Sequence, residues 1–108
     1  MLFVVTDHIR MEFEKGDKSL ARMTMLKQTF DMYDDLKTRG KLKFSYAFAD
    51  SPGAITMWDV ESNEELQRIL FLLPSMPFVE RTVKPVTEMK SALNVIKELE
   101  LIFSSMPK

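Results

Sequence analysis

Apolar residues of β-branched and aromatic type crowd Leu2–Arg10, which predicts a strand whose side chains point alternately to two faces. Phe3, Val5 and Ile9 fall on one face, with Asp7 an exception among them; Val4, Thr6, His8 and Arg10 fall on the other. A polar stretch from Glu12 to Lys18 predicts a loop, with Asp17 as the N-cap of the first helix. From Lys18 to Thr38 the spacing turns helical. Leu20, Met23, Leu26, Phe30, Tyr33 and Leu36 recur at three- and four-residue steps, and Met25 and Met32 broaden the stripe. Gly40 supplies a stop, with Lys37, Arg39 and Lys41 near the negative end of the helix dipole.

Alternation returns over Leu42–Asp50, with Phe44, Tyr46 and Phe48 on one face and Ser45, Ala47 and Ala49 on the other. Ser51-Pro52-Gly53 is turn chemistry, and Ala54–Val60 completes a hairpin. Ser62-Asn63-Glu64-Glu65 has the capping-box form and opens a helix carrying Leu66, Ile69, Leu70 and Leu73, which Pro74 ends. Phe78–Val86 reads as a fourth strand, and Glu88–Phe103 as a third helix with a stripe of Met89, Leu93, Ile96, Leu99 and Phe103. The order β-α-β-β-α-β is the ferredoxin-like α+β plan, a four-stranded antiparallel sheet with two helices on one face. It divides the chain into a domain over 1–87 and a C-terminal helical extension over 88–108. One sheet face is left without a helical cover, which predicts a homodimer closing an α+β barrel, and from it a larger ring. The competing arrangement is a monomer whose last helix folds over its own sheet.

Composition narrows the chemistry. With 108 residues, 45% hydrophobic and 29% charged, the chain builds one globular core and no second. Fifteen Lys and Arg stand against sixteen Asp and Glu, and no basic run exceeds two residues, which argues against nucleic acid as a partner. Cysteine is absent and His8 is the one histidine, so thiolate chemistry, disulfides and multi-histidine metal sites are excluded. No metal is therefore expected. No apolar run is longer than Ile69–Leu73, far short of the ~20 residues that span a bilayer. The N-terminal residues read as a strand and not a signal peptide, so a cytoplasmic protein without membrane partners is the expectation.

Met1-Leu2-Phe3-Val4-Val5-Thr6, Arg39-Gly40-Lys41, Trp58-Asp59-Val60-Glu61-Ser62 and Leu72-Leu73-Pro74-Ser75-Met76-Pro77-Phe78 together resemble the muconolactone isomerase family, over about Met1 to Thr87. In the last segment Pro74 ends the helix, Pro77 starts an edge strand and Phe78 plugs the core. The resemblance implies a small, cofactor-free enzyme of aromatic-compound breakdown, which shifts a proton and a double bond within a hydrophobic lactone. It also implies dimers arranged in larger rings, with pockets between sheet and helices. Family members place a glutamate midway along the first helix; here the stretch is Lys27-Gln28-Thr29-Phe30, and Asp31 is the nearest carboxylate.

Proton abstraction beside a carbonyl needs a base, a donor for the enolate oxygen and a dry pocket. His8 is of the residue type whose unperturbed pKa suits the first role, or it lies hydrogen-bonded and inert at a subunit interface or rim. Tyr46 offers a hydroxyl to a ligand carbonyl, or packs in the core with that hydroxyl satisfied. Asp31 completes the catalytic set, although with Asp34 and Asp35 it also fits a solvated helix face. Trp58 and Phe78 are pocket walls or plain core, and Asp50 binds a ligand or caps its turn. Glu80 and Arg81 fall on opposite strand faces, so at least one points toward the buried side or a partner sheet and is costly unless paired; the pair binds a ligand or forms a cross-subunit salt bridge. Two other readings stay open: a non-catalytic oligomeric domain that binds a small molecule or partner, and a cofactor-independent oxygenase.

Overall fold

The structure, a computed structural model, describes residues 1–10 and 16–107. Its elements run β1 (Leu2–Ile9), α1 (Gly16–Thr38), β2 (Leu42–Ala47), β3 (Gly53–Asp59), α2 (Asn63–Leu72), a 3₁₀ turn (Met76–Phe78), β4 (Val79–Val86) and α3 (Met89–Ser104). The four strands form one antiparallel sheet in the order β2-β3-β1-β4. This is the expected ferredoxin-like α+β architecture. Of the loop expected from Glu12 to Lys18, the part up to Lys15 lies outside the described residues; Gly16 to Lys18 already belong to the first turn of α1, so the helix starts before Asp17, which is not its N-cap.

Strand alternation decides what is buried. Phe3, Val5 and Asp7 of β1 and Thr56 and Trp58 of β3 turn toward the helices and are buried, while His8 turns the other way and is exposed. Tyr33 from α1 and Leu66 and Leu70 from α2 close over this face to form the core, with Leu42, Val60 and Leu73 at its ends. Ser62 caps α2 by accepting a hydrogen bond from the Glu65 N–H at 3.1 Å. The Glu65 carboxylate reaches back to the Glu61 N–H at 2.9 Å, one residue before the position usual in a capping box. The same carboxylate pairs with Lys41 at 2.6 Å, tying α2 to the start of β2.

Several expectations are corrected. Pro77 lies in the 3₁₀ turn and not in the strand, because its fixed φ suits a tight turn; β4 begins at Val79. Pro85 sits inside β4, tolerated because β4 is an edge strand. The apolar stripe of α1 is buried only in its C-terminal half: Tyr33 is in the core, whereas Leu20, Met23, Met25 and Phe30 are exposed. Nor does α3 fold over the open sheet face. None of its residues is buried, and the described molecule is elongated, measuring 69 × 30 × 23 Å.

Candidate functional site

Among the described residues, one ion pair is set into the core side. Asp7 faces Arg81 across the β1–β4 ladder, and both belong to the helix-facing set of positions. Arg81 donates from Nε to Asp7 Oδ1 at 2.6 Å and from Nη2 to Oδ2 at 3.2 Å, a two-pronged pairing that fixes the plane of the guanidinium. A third N–H, on Nη1, reaches the Leu70 carbonyl at the C-terminal end of α2 at 3.4 Å. The side chains are only 15% and 7% exposed for Arg81 and Asp7, so neither charge is left to water. Three of the five guanidinium N–H groups are thereby used.

Arg81 also lines a cleft of about 570 Å³ between α2 and β4. Its walls are mostly apolar: Phe3, Leu66, Leu70, Phe71, Val79 and Val83. Glu64, in the first turn of α2, is the single carboxylate among its described lining residues. Two N–H groups of Arg81 have no protein acceptor among the described residues, and its guanidinium is the one cationic group among the cleft's described lining residues.

Behind the ion pair, Tyr33 packs edge-on against Trp58 at 5.9 Å between ring centroids. Burial pushes the Tyr33 hydroxyl up to about 12, the Asp7 carboxylate adds to the rise, and Arg81 opposes it. The phenol is therefore a neutral hydrogen-bonding group throughout the ordinary pH range. Trp58 donates from Nε1 to Thr56 Oγ1 at 2.8 Å, and Thr56 Oγ1 donates to the Val5 carbonyl at 3.4 Å. Buried Thr29 donates to the Met25 carbonyl at 2.9 Å and accepts from the Ser75 N–H at 3.2 Å, holding α1 against the chain after α2.

The residues singled out from sequence are not gathered in one place. Arg81 lines the cleft, while Trp58 is fully buried core and Phe78 is buried at the 3₁₀ turn with the Arg22 guanidinium 5.9 Å from its ring centroid. His8 lies on the opposite sheet face, stacked on Phe48 at 5.5 Å. Tyr46 shares that face but is 67% exposed, beside Phe44; the expectation of a core tyrosine fails because nothing in the described structure packs over this strand. Asp31 is exposed on α1, and Asp50 accepts from Ser51 Oγ at 3.3 Å in the hairpin turn. Glu80 points away from the core and pairs with Arg10 at 3.2 Å. Tyr33, Glu64 and the pairing role of Asp7 were not singled out. Asp7 carried the signal, an acid in the buried phase of a strand, but its partner required the β1–β4 register. Among the described residues, no group of His, Asp and Glu is placed to hold a metal ion, and no helix is long and apolar enough to cross a membrane.

The family model for muconolactone delta-isomerase matches residues 1–92. The chain belongs to that family. The match takes in the whole sheet and α1 and α2, and stops just inside α3. Among solved structures, a muconolactone isomerase superposes with a TM-score of 0.71 at 24% identity, covering 82% of this chain and 90% of that one. A 5-chloro-2-hydroxyhydroquinone dehydrochlorinase from Burkholderia phenoliruptrix, solved with 2,5-dihydroxybenzoquinone, superposes with a TM-score of 0.62 at 16% identity, covering 82% and 95%. At these identities the likeness establishes the fold, which the family thus shares with a different chemistry. No curated protein sequence matches the chain significantly.

Proposed function

We propose that this member of the muconolactone isomerase family is a cofactor-free isomerase that moves a proton and a double bond within a small hydrophobic lactone bearing a carboxylate, of the kind formed in aromatic-compound breakdown. One observation carries the reading: the Arg81 guanidinium, pre-oriented by Asp7, on the wall of an otherwise apolar cleft. The cleft volume falls in the ~300–1,000 Å³ range of small-molecule sites. A carboxylate on the ligand would take the two open N–H groups, and its ring would rest on Phe3, Leu66 and Leu70. The dehydrochlorinase of the same fold, holding a dihydroxybenzoquinone, supports a small oxygen-bearing ring as the ligand type.

In this reading Glu64 is the proton carrier. It removes a proton from the carbon next to the unsaturated system, charge passes to the lactone carbonyl oxygen, and the proton returns at the far end of the shifted double bond. No electrons are gained or lost, so the step requires no redox partner. The open sheet face belongs to the same proposal as the surface on which a second copy closes the α+β barrel.

Solvent deuterium exchange into an added muconolactone tests it. Arg81→Met is expected to raise KM at least tenfold, and Glu64→Gln to lower kcat by roughly 10²–10⁴, the usual worth of a positioned acid–base group. His8→Ala and Tyr46→Phe should leave exchange intact, since both side chains lie across the sheet from the cleft. Exchange lost in His8→Ala but retained in Glu64→Gln would move the reaction to the other sheet face. Product oxidation that depends on dissolved oxygen would replace the isomerase with an oxygenase.

A further inference from the structure

The Arg81 guanidinium divides the cleft into two unlike ends. Its hydrogen bond to the Leu70 carbonyl sets it level with the last turn of α2. Toward the N-terminal end of α2 the walls carry Asn63, Glu64 and Gln67, which with Arg81 are all the polar residues among the described lining. Past Leu70 the lining comes from Phe71, from Met76 in the 3₁₀ turn and from Val79 at the start of β4. All three are apolar.

Phe71 and Met76 are 57% and 37% exposed. A lone exposed apolar side chain needs no explanation. These two share one concavity with an oriented cation, which is the make-up of a ligand site. Along β4 the helix-facing positions Val79, Arg81 and Val83 follow one another at about 6–7 Å. A carboxylate on Arg81 therefore has cleft wall on both sides of it. An unbranched acid whose ring points toward Glu64 would leave Phe71 and Met76 facing water, where apolar surface is unfavourable.

We infer, resting on the proposed role of Arg81 as carboxylate anchor, that the ligand branches at the carbon bearing its carboxylate. One arm carries the oxygen-bearing ring toward Glu64 and Gln67. The other is a hydrocarbon arm, without hydrogen-bonding groups, packed on Phe71, Met76 and Val79.

Calorimetric titration of the full chain with phenylacetate and with diphenylacetate tests it. The second acid differs only by a further ring on the carboxylate-bearing carbon. Diphenylacetate should bind more tightly by at least roughly tenfold, the low end of what burying a phenylalanine-sized side chain is worth. Phe71→Ser combined with Met76→Ser should remove most of that advantage and leave the phenylacetate affinity unchanged. Phe71→Ser alone should act in the same direction, and unaltered Trp58 fluorescence would show that each variant is folded. Leu72→Ser, next in the chain and 66% exposed but outside the cleft's described lining, should change neither affinity. Arg81→Met should weaken both acids together. Equal affinities for the two acids in the wild type, or an advantage that survives in the folded Phe71 variants, would overturn the branched ligand and leave the Arg81 anchor standing. Failure of both acids to bind, or binding undiminished in Arg81→Met, would overturn the anchor and the branch with it.

Discussion

At the scale of single residues, the ion pair behind the cleft sets the largest local stakes. Asp7 and Arg81 satisfy each other while largely withdrawn from water. Removing one leaves the other as an uncompensated charge, which costs more than the pair itself contributes. Asp7→Ala is therefore expected to lower unfolding free energy by about 3–5 kcal/mol, read by urea denaturation. Asp7→Leu combined with Arg81→Met should recover most of that loss. A double variant as unstable as Asp7→Ala would show that the site's packing, not its charge, is at stake. Tyr33 gives a second reading of the same neighbourhood. Its folded-state pKa lies above the ordinary value of 10.0, at about 12, so the folded chain holds the phenolic proton more tightly than the unfolded chain does. That contribution is fully present below pH ~10 and is lost as pH rises toward about 12, a change on the order of 2–3 kcal/mol. Tyr33→Phe should abolish this alkaline decline; equal slopes in the two proteins between pH 9.5 and 11.5 would refute it. Much of this was legible in the sequence: an acid in the buried phase of β1 and an inward charge on β4 each demand a partner. Their meeting was not, because register is set by the whole ladder and not by either strand.

At the scale of elements, punctuation proved more readable than packing. The Ser62 cap, the stop after Leu72 before Pro74 and the positive φ of 77° at Gly40 each follow from one residue's backbone preference. What burial would do to a helix could not be read from its stripe. α1 has the spacing of a fully docked helix, yet its N-terminal half stays exposed, because apolar periodicity states which side wants cover and not whether cover exists. The β2–β3 hairpin shows a tighter constraint. Gly53 lies opposite His8 in β1, and a Cβ there would run into the Asp7 carbonyl and approach the Phe48 ring at 2.9 Å. The backbone contact cannot yield by a side-chain rotation, so Gly53→Ala must push β3 away from the β1 end that carries Asp7. A loss of about 1–3 kcal/mol, the usual cost of overpacking, is expected in thermal unfolding. The cleft should loosen with it, since Asp7 orients Arg81. A Gly53→Ala protein with wild-type stability would show that the hairpin end is free to shift.

At the scale of the whole molecule, shape carries the remaining information. A compact domain of this length has a radius of gyration near ~13 Å, whereas the chain measures 19.0 Å. The chain is thus elongated, and it leaves two apolar surfaces exposed in one subunit. On the open sheet face Phe44, Tyr46, Ile55 and Met57 sit on adjoining strands opposite the helices; the apolar stripe of α3 is the other. Sequence pattern showed that both surfaces exist, but each could have covered the other, and only the geometry separates them. With a second copy closed over the sheet face, as proposed, the wild type should sediment as an assembly at micromolar concentration. Phe44→Asp should then remove the sheet contact and sediment as a single chain. If Phe44→Asp still associates, a further surface, such as the stripe of α3 or the exposed Leu20, Met23 and Phe30 edge of α1, joins the copies.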